Sequence, residues 1–113
     1  MARMAFAIIL APAAATALKN MSVAIRTGVR NALAVHLTHE PTKVSKSRIK
    51  RLRGLRQPQY RLRIGDIGVF YDVTETQVQV LAIVTKAEAQ SWLDEEGTPA
   101  QAPEGGGAGR SEG

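Results

Sequence analysis

Arg61 and Arg63 are the two residues whose type and spacing point most directly to chemistry. They alternate with Tyr60, Leu62 and Ile64 in the run Gln59 to Ile64, and successive side chains of a strand face opposite ways. Two arginines cannot enter the apolar core that takes the other three, so they line a solvated or ligand-bearing surface. A guanidinium suits phosphate there because it donates two parallel hydrogen bonds. The surrounding charge reinforces this reading. Between Pro41 and Gly65 there is no acid, and nine cations: Lys43, Lys46, Arg48, Lys50, Arg51, Arg53, Arg56, Arg61 and Arg63. The rest of the chain holds six basic and ten acidic residues, a net of −4. A cationic band on a mildly acidic body attracts a polyanion, nucleic acid foremost, through counterion release and steering. The same band also suits a solvated face or a dock for an acidic protein. Tyr60, Phe70, Tyr71 and Trp92 lie near enough to offer a sparse stacking platform for bases.

Other chemistries find less support. His36 and His39 stand three apart beside Glu40 and would offer two metal ligands, but no third presents itself. A histidine at a helix end near the core accounts for them, and no metal site is expected. Asp66 and Asp72 flank one strand and Glu88 to Glu96 fall in a terminal helix, so no paired-acid site forms. The serines lack the glycine pattern of a nucleophile elbow. Without cysteine, disulfides, thiolate zinc sites and cysteine nucleophiles are excluded, which fits a reducing cytoplasm.

These side chains need a scaffold. Apolar residues at 44% and charged residues at 22% are near the globular average, so the main body folds. The last 17 residues, Gly97 to Gly113, carry 6 Gly and 2 Pro and read as a disordered tail. That leaves residues 1–96 for one small domain with a modest core. Arg3, the apolar run Met4 to Ala11 and the triplet Ala13-Ala14-Ala15 imitate a secretory signal, but the run is short and Pro12 breaks it. It reads instead as a first strand with Met4, Phe6, Ile8 and Leu10 on one face. No run approaches the ~18 apolar residues of a membrane span.

Pro12 to Asn20 is helix-competent, with Pro12 suited to the first turn. Ser22 caps a second helix, in which Ile25, Val29, Ala32, Leu33, His36 and Leu37 recur at three- and four-residue steps until Pro41 stops it. The tight connection predicts an antiparallel helical hairpin. From Thr42 to Pro58 the periodicity fades. Ile49, Leu52 and Leu55 are its apolar anchors, and it reads as a partly ordered basic connection with one helical turn. Then come Gln59 to Ile64, a Gly65-Asp66 turn, Ile67 to Val73, a Thr74-Glu75-Thr76 turn and the nearly continuous apolar strand Val78 to Val84. Short connections make these a three-stranded antiparallel meander, and Lys86 to Glu96 closes as a short helix. The fold class is α+β, in the order strand, helix, helix, meander, helix.

Three stretches of this chain have a family look: Ile49-Lys50-Arg51-Leu52-Arg53-Gly54-Leu55, Tyr60-Arg61-Leu62-Arg63-Ile64-Gly65-Asp66 and Val69-Phe70-Tyr71-Asp72-Val73. Together they resemble the RelE/ParE superfamily of bacterial toxins, over about residues 4 to 95. The resemblance implies a small RelE-like fold and the toxin half of a type II toxin–antitoxin pair. It further implies a cytoplasmic location, a cognate antitoxin that wraps the toxin, growth inhibition and no cofactor. RelE-like members are metal-independent mRNA interferases of the ribosomal A site, whereas ParE-like members poison DNA gyrase. Carried over, Arg61 and Arg63 hold the two basic positions of the RelE-like sheet, where they would orient phosphate and favour the attacking alkoxide. Lys86 stands near a further family arginine and would substitute as a cation. The remaining cations Lys43, Lys46, Arg48, Lys50, Arg51, Arg53 and Arg56 would bind nucleic acid. Ile67-Gly68 stands where the family reads Tyr-Arg, and nothing replaces the family tyrosine near Trp92 and Leu93. Each missing preorganised group costs about a hundredfold or more in rate. The alternatives are therefore a ParE-type gyrase inhibitor and a degenerate toxin that only binds its antitoxin.

Overall fold

The computed structural model describes residues 5–100, opening with β1 (Ala7–Leu10). Phe6, Ile8 and Leu10 pack against the core, while Met4 lies outside the described residues. In α1 (Pro12–Lys19) proline occupies the first turn, where its missing N–H is not needed. Ala14 and Leu18, one turn apart, are buried. Ser22 Oγ accepts the Ile25 N–H at 3.3 Å and starts α2 (Val23–Leu37), which buries Val29, Leu33 and Leu37. Ile25, expected in that stripe, is 50% exposed, because the buried face begins a turn later. The helix also ends four residues before Pro41. Both helices feed one core, but α1 packs mainly on the sheet rather than on α2, so the expected helical hairpin is a weak unit of its own.

The basic connection contains strands rather than a helical turn. β2 (Ile49–Arg51) and β3 (Leu55–Gln57) precede the meander of β4 (Tyr60–Ile64), β5 (Ile67–Val73) and β6 (Gln77–Thr85). β2 pairs antiparallel with β4, placing Ile49 opposite Leu62 in the core. The period-three spacing of Ile49, Leu52 and Leu55 therefore marks two short strands joined by a turn at Gly54, where φ is +76° and glycine carries no steric penalty. β1 joins β6 in parallel, and the five-stranded sheet runs β1-β6-β5-β4-β2. The class is α+β, with a mixed sheet one strand wider than the sequence suggests.

β6 changes face partway along. Phe70 lies opposite Ala82 but Tyr71 lies opposite Val80, leaving Leu81 as the extra residue of a bulge. Val78 and Val80 before it, and Ile83 after it, enter the same core despite their opposite parity. This is why the run is nearly continuously apolar. α3 (Lys86–Glu96) follows at once, its start held by Thr85, whose N–H and hydroxyl both donate to Glu88 Oε1 at 3.3 and 3.0 Å. The chain then turns back. Within Gly97 to Ala100, expected to open the tail, Thr98–Pro99 form β7, which pairs with β3, and the Ala100 N–H donates to Gly54 O at 3.0 Å. The rest of the expected tail lies outside the described residues.

Two interactions lock the arrangement. The buried Tyr71 hydroxyl donates to Pro41 O at 2.6 Å, tying the loop after α2 to the central strand. Asp72 accepts from Gln57 Nε2 at 2.6 Å and from the Gln59 N–H at 2.7 Å, pinning the β3–β4 connection. Tyr71→Phe removes the first and leaves a buried carbonyl unpaired, at an expected cost of about 1–3 kcal/mol. It should appear as a lower urea midpoint with an unchanged slope. At Gly97 an added Cβ would lie 2.6 Å from Leu93 O and 3.2 Å from Leu55 Cδ2. Gly97→Ala is therefore expected to displace β7 and speed hydrogen exchange of the Ala100 amide.

Candidate nucleic-acid interface

The face of the sheet opposite the core carries the predicted arginines. Leu62 is wholly buried, so its neighbours Arg61 and Arg63 emerge on the other side. Across the strands, Lys50, Arg61, Phe70 and Ala82 form one row, and Arg63, Gly68 and Val84 the next. Phe70 is fully buried on this side because Trp92 of α3 stacks on it, ring centroids 5.0 Å apart. That stack sets α3 beside the arginines. The Lys86 N–H donates to Asp66 O at 2.7 Å, which fixes the first residue of α3 next to the β4–β5 turn.

Arg61, Arg63 and Lys86 thus converge on a recess of about 170 Å³, floored by Gly68 and walled by Gln90 and Leu93 of α3. The Arg61 Nε is buried with no hydrogen-bond partner. Burial, and then the neighbouring Arg63 charge, lower the Arg61 pKa from its ordinary value. Among the described residues none of the three cations is in an ion pair. A group that donates to anions is thus held half-dry and unsatisfied, an arrangement suited to an incoming phosphate oxygen. Gly68 keeps its register with Arg63 and Val84, so it marks no bulge. A Cβ there would meet only Arg61 Cδ at 3.9 Å and Val84 O at 4.0 Å, ordinary contacts.

The seven further cations divide. Lys46, Arg48 and Lys50 join Arg61 and Arg63 around a larger cavity of about 480 Å³. Arg51 lies over the Tyr60 ring at 5.0 Å, a cation–π contact. Arg53 lines an adjoining groove with Lys50, Arg51 and the α3 residues Gln90, Leu93 and Asp94. Arg56 sits exposed on β3, apart from these cavities, and Lys43 is 3.9 Å from Glu40. The expected aromatic platform is not free. Tyr60 stacks on Tyr71 at 5.5 Å and Phe70 on Trp92, so all four rings are spent on packing. Gln90 carries no signal in the sequence, and Leu93 enters there only at the place of the family tyrosine, although with Lys86 they fall at steps of four and three on one helix face.

The histidines separate. His39 is exposed, and His36 faces a recess with Glu40, Lys43 and Arg48. Among the described residues no three His, Cys, Asp or Glu side chains gather where one metal ion would reach them. Nor, among them, is any helix long and apolar enough to cross a membrane.

No protein-family model matches the sequence, and no curated protein sequence matches it. Solved structures do share the fold. A chain of the RelBE2 toxin–antitoxin complex from Mycobacterium tuberculosis superposes with a TM-score of 0.58 at 21% identity, covering 74% of this chain and 94% of that one. A chain of the RelB–RelE antitoxin–toxin complex from Methanococcus jannaschii gives 0.52 at 18% identity, covering 74% and 96%. The protein therefore has a small α+β fold similar to that of chains in toxin–antitoxin complexes.

Burial, then Arg48, hold the His36 pKa below its ordinary 6.5. The unfolded chain then binds this proton at a higher pH than the folded one, so the stability linked to His36 is present above pH 6.5 and lost as pH falls through the folded pKa. Thermal melts across pH 5 to 7.5 should show the loss in the native chain and a flatter profile in His36→Gln.

Proposed function

We propose that this chain is the toxin of a type II toxin–antitoxin pair, acting on RNA at the ribosome in the cytoplasm and held in check by a cognate antitoxin. The observation that carries the reading is the convergence of Arg61, Arg63 and Lys86 around one recess. The similarity to chains of RelB–RelE complexes supports it independently.

The chemistry suited to this recess is metal-independent cleavage of an RNA strand. The ribose 2′-hydroxyl attacks the adjacent phosphorus and loses its proton to water, the new P–O bond closes a 2′,3′-cyclic phosphate, and the 5′-oxygen of the next nucleotide leaves, taking a proton from water. Negative charge grows on the non-bridging oxygens as the phosphorus becomes five-coordinate. Arg61 and Arg63 donate to those oxygens, and Lys86 adds a third positive charge from the α3 side. A guanidinium stays protonated near neutral pH, so the arginines orient and stabilise rather than accept the 2′ proton. No side chain lining the recess is an evident base for that proton. With Gly68 in the next strand, the set is incomplete and the turnover low.

A second reading is favoured by Gly68 alone: a ParE-type inhibitor that binds DNA gyrase needs no cation at that position. Induction in a bacterial host without antitoxin tests both. The native chain is expected to slow growth with translation arrest, Gly68→Arg to deepen the arrest, and Arg61→Ala with Arg63→Ala to relieve it. A DNA-damage response with translation intact would transfer support to gyrase. Soluble expression of native chain and Gly68→Arg without any growth effect would overturn both readings and leave the antitoxin-binding remnant.

A further inference from the structure

The larger cavity beside β2 is not used by the chemistry above, yet it is the more strongly cationic of the two. Lys46, Arg48, Lys50, Arg61 and Arg63 line it together with the serines 45 and 47, and no acid does. Its rim is a built turn. Ser45 Oγ accepts the N–H groups of Arg48 and Ile49 at 3.1 and 3.2 Å, and the Ser45 N–H donates to Ile49 O at 2.9 Å. The Arg63 N–H then donates to Arg48 O at 2.8 Å, which extends the β2–β4 pairing one residue into the turn. Lys46 and Ser47 are therefore presented from an ordered loop, with the Ser47 hydroxyl available to donate beside the cations.

Arg61 and Arg63 border both cavities, the smaller towards α3 and the larger towards β2. Two residues apart on one strand face, they stand about 6.6 Å apart along the strand. The two cavities open on opposite sides of this pair, so a phosphate in either one would meet both guanidinium groups. We infer that the large cavity is a second phosphate subsite, so that the face grips a single-stranded oligonucleotide by two consecutive phosphates, one in each cavity with the arginine pair shared between them. Lys46, Ser47 and Lys50 hold the second phosphate, and Lys86 sits with the first. The inference rests on the RNA-directed reading and adds to it the substrate's minimum length and the residues that measure it. It also accounts for a feature that a single phosphate site leaves idle: Lys50 directly opposite Arg61, a like-charge pair that costs stability unless an anion lies between them.

The test uses the full chain and 2′-O-methyl RNA, which lacks the attacking hydroxyl and is not cleaved. A trinucleotide offers two linking phosphates and a dinucleotide one. The trinucleotide is expected to bind at least about tenfold more tightly, since charge-assisted hydrogen bonds carry roughly that much each. It should shift the amide resonances of Ser47 and Arg48 together with those of Gly68 and Lys86. In Lys46→Ala/Lys50→Ala, two exposed substitutions, that advantage should vanish and only the Gly68 and Lys86 resonances should move. The subsite is overturned, and the RNA-directed reading kept, if the trinucleotide binds but the double variant weakens both ligands equally or neither. If neither ligand binds the native chain at all, the subsite and the RNA-directed reading fall together.

Discussion

Leu62 is fully buried between Ile49 and Val69, and a strand that commits this side chain to the core commits Arg61 and Arg63 to the opposite face. The candidate site depends on that one constraint. A register slip of a single residue would bring both guanidinium groups into contact with Val69, Tyr71 and the helices, at a desolvation cost the small core has no means to offset. Hydrophobic burial on one side of the sheet thus does the electrostatic work on the other, keeping cations close together that would otherwise spread apart.

The cationic face has its own supports. Phe70 and Trp92 form an apolar stack on the same side as the arginines, and α3 is held there with little buried surface of its own. The bulge at Leu81 makes this possible, because it switches β6 so that Ala82 and Val84 lie on this side beside Phe70 and Gly68. Small and flat residues in that row leave the recess open. At the other end, β7 pairs with β3 and closes the chain across the turn at Gly54. Asp72, nearly buried and bonded to Gln57 and Gln59, holds the neighbouring connection. Among the described residues, Asp72 and Glu88 serve the frame, whereas Asp94 lines the groove beside Arg53 and Glu40 the recess near Lys43.

This division explains why the nine cations do unequal work. Those on β4, on β2 at Lys50 and in the Ser45 turn share a face, and their fields add. Arg51 alternates away and rests on Tyr60, Lys43 is close to Glu40, and Arg56 sits on a different sheet. A charge count over a segment measures attraction at long range, where direction is averaged. Recognition of phosphate depends on which side chains point into the same few ångströms.

Much was legible without a structure because it is local. The alternation in Tyr60 to Ile64, the cap at Ser22, the turn at Gly65 and the span of α3 all follow from side-chain periodicity and turn chemistry within a few residues. The face carrying Arg61 and Arg63, and hence the core of the candidate site, was determined at that level. What only the tertiary structure decided depends on partners far apart in the chain. β2 and β3 are too short and too charged to be strands by themselves, and exist because β4 and β7 offer free edges for their N–H and C=O groups. Phe70 and Trp92 were brought to stack by the approach of α3, whereas Tyr60 and Tyr71 meet because the two-residue turn at Gly65-Asp66 sets them opposite each other. Periodicity tells a side chain which way to face; only the packed sheet determines what it meets there.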